Sequence, residues 1–129
     1  MLFRSAEGDE LSGITGTKNG DIFFSQKDEK GKWERPQTIT SGLNTEFDEG
    51  ACCFSPDQRT MYLTQCVSDP SYPRYATIAT SNRADAAWGK AQKLEITRDT
   101  LSSFAHPAVS PDGEWLYLDR KSVGRERVC

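Results

Sequence analysis

The strongest constraint on the fold of this chain is an internal repeat with a constant offset of 55 residues. Trp33 and Trp88 are 55 positions apart, and the same shift places the Ser-Pro-Asp of residues 55–57 on that of residues 110–112 without a gap. Self-similarity of this length predicts a fold built by stacking copies of one small unit, each burying its apolar side against a neighbour. The further matched positions are Gln37 with Gln92, Thr45 with Thr100, Ile39 with Leu94, Phe54 with Val109, Met61 with Leu116, and Tyr62-Leu63 with Tyr117-Leu118.

The pattern within each copy predicts short β-strands joined by tight turns. Residues 51–54 form an apolar run that ends at Ser-Pro-Asp, and β-branched and aromatic residues follow at 60–64, which is typical of a hairpin. In the second copy the turn is Ser-Pro-Asp-Gly, where proline presets φ at about −65° and glycine accepts a positive φ. Gln58 takes the place of Gly113 in the first copy.

No segment has sustained helical periodicity, so the chain is predicted to be all-β. Further predicted strands cover residues 22–25, 33–39, 75–81 and 88–96. Four short strands in each repeat are the pattern of radial all-β architectures, in which sheets are arranged around a central axis.

Charge and composition argue against several classes of function. The net charge is −3 and the basic residues are scattered among acids, so we expect no nucleic-acid partner. No apolar run is long enough to span a membrane, and the first residues lack the apolar core of a secretory signal. The cysteines form no C-x-x-C pair and have no paired histidines near them, so we expect neither a metal site nor a cofactor.

The cysteines leave one question open at the level of the sequence. A hairpin turning at residues 56–57 places Cys52 opposite Tyr62 and Cys66 opposite Asp48. A disulfide joining Cys52 or Cys53 to Cys66 therefore needs an irregular register. The sequence alone does not decide whether these cysteines are joined by a disulfide or are free thiols.

The repeat resembles the short WD-like propeller repeats of the TolB type, in which Ser-Pro-Asp-Gly stands between two strands. Residues 110–118, with the sequence SPDGEWLYL, carry this resemblance most closely. Residues 21–25, 31–36 and 44–50 are similar to repeats in envelope proteins of Bacteroidetes-like bacteria. In those proteins the propeller is often joined to an OmpA-like peptidoglycan-binding domain or to tetratricopeptide repeats.

The resemblance implies a partial β-propeller with one complete four-stranded antiparallel blade between two incomplete ones. Residues 50–97 would form the complete blade, with strands near 51–55, 60–66, 75–81 and 88–96. Residues 1–40 would supply three outer strands of the preceding blade, and residues 105–118 two inner strands of the next. Because a closed propeller needs about four to eight blades, the missing blades would belong to a larger parent protein. Residues 119–129 depart from the repeat, and we interpret them as a non-native tail.

Five residues are predicted as binding positions: Asp48, Glu49, Tyr72, Arg74 and His106. They lie in the segments 44–50, 65–74 and 99–105 or next to them, which propeller topology would bring to one face. Tyr72 and Arg74 are of the residue types enriched in binding hot spots.

Each candidate also has a structural interpretation. His106 could be catalytic, but a hydrogen bond from its ring to a neighbouring loop is favoured, because no partner nucleophile is evident. Asp48 and Glu49 could bind a cation or a basic peptide, or could be a solvated pair of loop charges, which is the favoured interpretation. Adjacent residues on an extended chain point in opposite directions, so we do not expect them to cooperate as acid and base.

The repeated motifs are likewise interpreted as structural. The Ser and Asp of each Ser-Pro-Asp suit hydrogen bonds to the turn backbone, and the spacing does not fit the Asp box of sialidases. Trp33 and Trp88 could be sugar-stacking platforms, but their repetition favours packing between sheets. We expect no catalytic residues.

The function expected from the resemblance is a non-enzymatic propeller module for protein binding or scaffolding in the bacterial envelope. Its location would be periplasmic or associated with the outer membrane, and its partner a protein or another envelope component. The alternative is the propeller portion of a prolyl-oligopeptidase-like peptidase whose catalytic domain lies outside this chain.

Overall fold

A computed structural model describes residues 2–5, 19–39, 42–69, 72–98 and 102–122. Residues 2–5, 68–69, 72–74 and 121–122 are described by their backbone alone. All regular structure in these ranges is β, and every strand pairing is antiparallel. The prediction of an all-β chain is therefore confirmed for the described residues.

The described strands form three sheets that follow one another along the chain. The first sheet contains β1 (Leu2–Ser5), β2 (Asp21–Phe24) and β3 (Gln37–Thr38). The middle sheet contains β4 (Asp48–Phe54), β5 (Thr60–Asp69), β6 (Tyr72–Ala84), β7 (Ala87–Trp88) and β8 (Gln92–Lys93). The last sheet contains β9 (Ser102–Val109) and β10 (Leu116–Ser122).

The outermost strands are shorter than the sequence pattern predicts. The predicted strand 33–39 is reduced to β3 and one isolated bridge between Lys27 and Trp33. The predicted strand 88–96 is divided into β7 and β8, which pair with different parts of the same edge of β6. Conversely, β10 extends four residues beyond residue 118, because residues 119–122 pair with β9.

The predicted Ser-Pro-Asp turns are confirmed, with the same hydrogen bonds in both copies. The amide of Ser55 donates to the carbonyl of Thr60 (2.8 Å), and the amide of Ser110 donates to the carbonyl of Trp115 (2.9 Å). In each turn the serine hydroxyl donates to the aspartate two residues later. The position after Asp has a positive φ in both copies, 58° in the first and 77° at Gly113. In each turn the serine hydroxyl also accepts a hydrogen bond from the amide five residues later, and the aspartate accepts one from the amide two residues later, so side chains satisfy backbone groups that a tight turn would leave unpaired.

A second set of contacts recurs where the third strand of each unit meets the hairpin that follows it. The Ser25 hydroxyl donates to the carbonyl of Glu34, and the Ser81 hydroxyl donates to the carbonyl of Gly89, both at 2.7 Å. The amides of Glu34 and Gly89 in turn donate to the carbonyls of Gln26 and Asn82, both at 2.9 Å. Glu34 and Gly89 are 55 residues apart, whereas Ser25 and Ser81 are 56 apart, so the same kind of contact recurs across a connection that is one residue shorter in the second copy.

The sheets are joined through their faces by two apolar clusters. In the larger one, Ile22 of the first sheet packs with Met61 and Leu63 of the middle sheet, together with Leu43 and Ala79. In the smaller one, Ala105 of the last sheet packs with Cys66 and Ala76 of the middle sheet. Burial of these apolar surfaces supplies the main attraction between the sheets.

The matched tryptophans differ in burial. Trp88 packs against the larger cluster, with the Phe54 ring 5.6 Å away and Arg83 5.9 Å from its ring centre. Trp33 is 48% exposed and has Lys27 over its ring at 5.1 Å. The expectation that both tryptophans pack between sheets is therefore wrong for Trp33, which has no counterpart of Phe54 in contact with its ring among the described residues.

A β-bulge shifts the register of the hairpin formed by β4 and β5. Asp48 lies opposite Cys66, as predicted, but Cys52 lies opposite Leu63 and not opposite Tyr62. The register changes between Glu49 and Cys52, because an extra residue is accommodated there. Cys52 and Cys53 are free thiols, so neither forms the disulfide with Cys66 that the sequence left open.

We expect Gly113→Ala to destabilise the fold more than Gly31→Ala. Both glycines have a positive φ (77° and 76°), which costs a residue with a β-carbon about 1–2 kcal/mol. At Gly113 the added methyl would also lie 3.2 Å from two ring carbons of Pro56, whereas at Gly31 it would meet nothing within 4 Å. Urea unfolding of the two variants measures the difference, and equal losses would contradict a close contact between the two turns.

Candidate binding site

One end of the sheets carries a group of buried polar side chains, which we call the polar end. It is formed where β2, β4, β6 and β9 begin and where β5 ends. The Ser-Pro-Asp turns lie at the opposite end. The polar end contains all the binding positions predicted from the sequence except His106, which lies further along β9.

Glu49 is the central buried residue of the polar end and is 0% exposed. One of its carboxylate oxygens, Oε1, accepts hydrogen bonds from the Thr45 hydroxyl (2.5 Å) and the Thr45 amide (3.2 Å). The same oxygen accepts a third bond from the Gln65 side-chain amide (3.3 Å). Glu49 thereby ties the loop before β4 to strand β5.

Burial raises the pKa of Glu49 to about 7 from its ordinary value of 4.5. The hydrogen bonds from Thr45 and Gln65 lower the pKa, and the charge of Asp21 raises it, but both effects are smaller than the loss of water. At neutral pH the side chain is therefore divided between its protonated and charged forms. A carboxyl group of this kind can gain or lose a proton when its surroundings change.

Asp48 joins the first sheet to the middle sheet. Its Oδ1 accepts a hydrogen bond from the amide of Gly20 at 2.8 Å, while the amide of Glu49 donates to the carbonyl of Gly20 at 2.7 Å. One repeat later, the hydroxyl of Ser103 accepts a bond from the amide of Ala76 at 3.2 Å. The interpretation of Asp48 and Glu49 as solvated loop charges is wrong, because both residues are buried in β4.

Asparagine side chains hold the loop that leads into β4. Asn44 pairs with both backbone groups of Ile22: its Oδ1 accepts from the amide at 2.7 Å and its Nδ2 donates to the carbonyl at 3.0 Å. Asn19 donates to the carbonyl of Glu46 at 2.9 Å. These hydrogen bonds resemble the backbone pairing between neighbouring strands. They fix the loop that precedes Glu49 to the first sheet.

His106 lies at a second bulge, in strand β9. Its φ is 52°, a value that histidine adopts more readily than most residues with a side chain. Its amide donates to the hydroxyl of Thr64 in the middle sheet (2.9 Å), and its exposed ring lies 3.7 Å from the carboxylate of Asp119. The ring thus contacts the neighbouring strand β10, whereas the sequence suggested a neighbouring loop.

Tyr72 and Arg74 lie in the first residues of β6, and Tyr72 pairs with Asp69 of β5. The structure describes both residues by their backbone alone. The backbone places them at the polar end, on the strand next to β5. Their predicted role in binding stays a prediction.

The described residues contain no group of three or more His, Cys, Asp or Glu side chains arranged to hold a metal ion. No helix that could cross a membrane is present in the described ranges. Comparisons of the chain with protein-family models, with curated proteins and with solved structures gave no match.

Sequence reasoning missed several residues that hold the polar end together. In the sequence Thr45 stands out by its repetition and not as a partner of Glu49, and neither Gln65 nor Thr64 stands out. One signal was available: Asp48 and Ser103 are matched by the 55-residue offset, and both are polar. Both accept a backbone amide from the preceding unit, so the polar character shared by the two copies at this position is the signal that could have indicated a contact between units.

We expect the stability of the protein to fall as the pH rises from about 4.5 to about 7, because of Glu49. In this window the folded protein holds a proton that the unfolded chain has released, so raising the pH favours unfolding. The full effect, reached above pH 7, is on the order of 3 kcal/mol. Glu49→Gln, which resembles the protonated form, should remove most of this dependence.

Urea unfolding at a series of pH values measures the effect. Glu46→Gln is a matched control, because Glu46 is exposed in the same loop and its substitution should leave the slope unchanged. If the free energy of unfolding of Glu49→Gln depended on pH as strongly as that of the wild type, a group other than Glu49 would be the cause.

Proposed function

We propose that this chain is a segment of a β-propeller built from TolB-type repeats. The proposal is supported by the order of the strands: each unit contributes neighbouring antiparallel strands in chain order, and successive units form successive sheets. It is also supported by the face-to-face contact of the middle sheet with both of its neighbours. Propeller blades are antiparallel sheets that pack in this way around an axis.

The proposed assignment of blades is supported by the same contacts. The middle sheet would be the complete blade, with β7 and β8 together forming its outer strand. The first sheet would supply the second, third and fourth strands of the preceding blade. The last sheet would supply the first and second strands of the next one, so the proposed ring requires further units.

We further propose that the module is not an enzyme and that it binds a protein partner in the bacterial envelope. The observation that carries this proposal is that hydrogen bonds of the same kind recur in both copies, at the Ser-Pro-Asp turns and where the third strand of each unit meets the hairpin that follows it. These bonds maintain the scaffold, whereas the segments at the polar end differ in sequence between copies, with NTEFDEG at residues 44–50 and DTLSSFA at residues 99–105. Variable loops on a rigid repeated scaffold are a common arrangement for recognition.

The chemistry of the polar end suits a peptide or protein ligand. Glu49 and Asp48 are buried and occupied by hydrogen bonds that hold the loops, so they serve as supports for the surface. Tyr72 and Arg74 would supply the direct contacts, because tyrosine and arginine contribute strongly to protein interfaces. His106 would lie at the margin of this surface.

Selection of peptides from a random phage-displayed library against the immobilised chain tests this proposal. The selected peptides, made synthetically, should bind about tenfold more weakly or worse to a Tyr72→Ala/Arg74→Ala double variant. The matched control is Lys27→Ala/Trp33→Ala, which removes another cation and aromatic ring at the opposite end of the sheets. Fluorescence anisotropy of labelled peptides gives the affinities.

The proposal predicts that the control double variant binds the peptides as the wild type does. If the peptides bound equally well to both double variants, the binding surface would not be at the polar end. Failure to select any peptide would count against a peptide-binding role.

A further inference from the structure

Asn19 is followed directly by Gly20, and this is the only Asn-Gly pair in the chain. In such a pair the glycine nitrogen can attack the side-chain carbon Cγ of the asparagine, because glycine has no β-carbon to obstruct the approach. The other asparagines, Asn44 and Asn82, precede a threonine and an arginine, whose side chains hinder the same attack. The sequence therefore contains one site with the chemistry for spontaneous deamidation.

The structure holds both reacting groups of this pair in hydrogen bonds. The amide of Gly20 donates to Oδ1 of Asp48 at 2.8 Å. The leaving group, Nδ2 of Asn19, donates to the carbonyl of Glu46 at 2.9 Å, and the asparagine is only 1% exposed. We call these two contacts the junction, because they join the segment that leads into the first sheet to the segment that leads into β4.

A closed junction protects Asn19 for two reasons. Attack requires the Gly20 nitrogen to give up its proton, but the Asp48 carboxylate holds that proton and repels the negative charge that would form in its place. The leaving group must also break its bond to the Glu46 carbonyl, and the water that completes the reaction has no access to a buried residue. Deamidation therefore requires the junction to open.

We propose that Asn19 is a deamidation site that is unreactive while the junction is closed and reactive when it opens. The inference depends on these contacts, and not on the proposed function. In the reaction the Gly20 nitrogen forms a bond with Cγ of Asn19, and the bond between Cγ and Nδ2 breaks. Nδ2 leaves as ammonia with the proton from the Gly20 nitrogen, and a succinimide remains. Water then adds across one of the two bonds from that nitrogen to a carbonyl carbon, which gives aspartate or isoaspartate.

Neither product can restore the junction. An aspartate at position 19 brings a carboxylate oxygen to the Glu46 carbonyl in place of the Nδ2 donor, so two acceptors face each other in a buried place. Isoaspartate adds a carbon to the main chain before Gly20, which displaces the Gly20 carbonyl from the amide of Glu49 that donates to it at 2.7 Å. Opening of the junction thereby becomes irreversible once Asn19 has reacted.

Incubation of the full chain in mildly alkaline buffer, with and without a denaturing concentration of urea, tests the proposal. Peptide mapping by mass spectrometry detects the mass gained when an amide becomes a carboxyl group. In urea Asn19 should react, while Asn44 and Asn82 of the same digest should remain intact. In the folded chain Asn19 should react about tenfold more slowly or slower still, because only the open fraction of molecules is reactive.

Two variants connect the protection to the junction. Asp48→Asn keeps an acceptor for the Gly20 amide but removes the negative charge, so it should speed the reaction of the folded chain severalfold and leave the rate in urea unchanged. Glu46→Gln is the matched control, because only the carbonyl of Glu46 takes part and its side chain is exposed. Equal rates for the folded and the urea-unfolded wild type, or an unchanged rate in folded Asp48→Asn, would contradict protection by the junction. An unreactive Asn19 in urea would overturn the site itself.

Asn19→Asp, which has the side chain of one product, tests the consequence of the reaction. It should lower the free energy of unfolding in urea. Asn82→Asp should not, because Asn82 is exposed and accepts from the Thr60 hydroxyl through an oxygen that aspartate also has. If Asn19→Asp were as stable as the wild type, the closed junction would accept the product, and the proposed irreversibility would be wrong.

Discussion

The packing of sheet against sheet is the constraint on which the rest of this structure depends. The middle sheet is the only one of the three described sheets with described sheets on both of its faces, and its strands contain most of the fully buried apolar side chains. Met61 and Leu63 face the first sheet, while Thr64 is covered by the last. A single hairpin of this sequence could not bury both sides of β5, so each unit depends on its neighbours for stability.

Polar side chains determine how closely and in which register the sheets meet. Asp48 and Ser103 each bind an amide of the preceding unit, and Thr64 binds an amide of the following one. Because buried polar groups must find partners, each of these bonds favours one alignment of two sheets over its alternatives. The apolar clusters supply attraction, and the polar contacts supply specificity. The same residues hold the loops whose outer surface is the proposed binding site.

The sequence predicted the repeated parts of this fold well and the irregular parts poorly. The Ser-Pro-Asp turns and the strands beside them follow from local chemistry, so they were found without reference to any contact. The register error at Cys52 arose because a β-bulge lies between Glu49 and Cys52. Gly50 lies in this bulge, and a glycine inside a strand often marks one, so the local signal was present and was overlooked. The burial of Asp48 and Glu49 was missed for a different reason: their partners Gly20, Thr45 and Gln65 are brought together by tertiary structure, and acidic residues in isolation suggest solvent.

The close approach of Gly113 to the ring of Pro56 has a further consequence for the geometry of a repeated fold. Here the turns of two successive units approach each other at a position that has no side chain, and a β-carbon there would lie 3.2 Å from two ring carbons of Pro56, so the two turns would have to shift slightly apart. A larger residue at this position would push the two Ser-Pro-Asp turns apart at their end of the sheets.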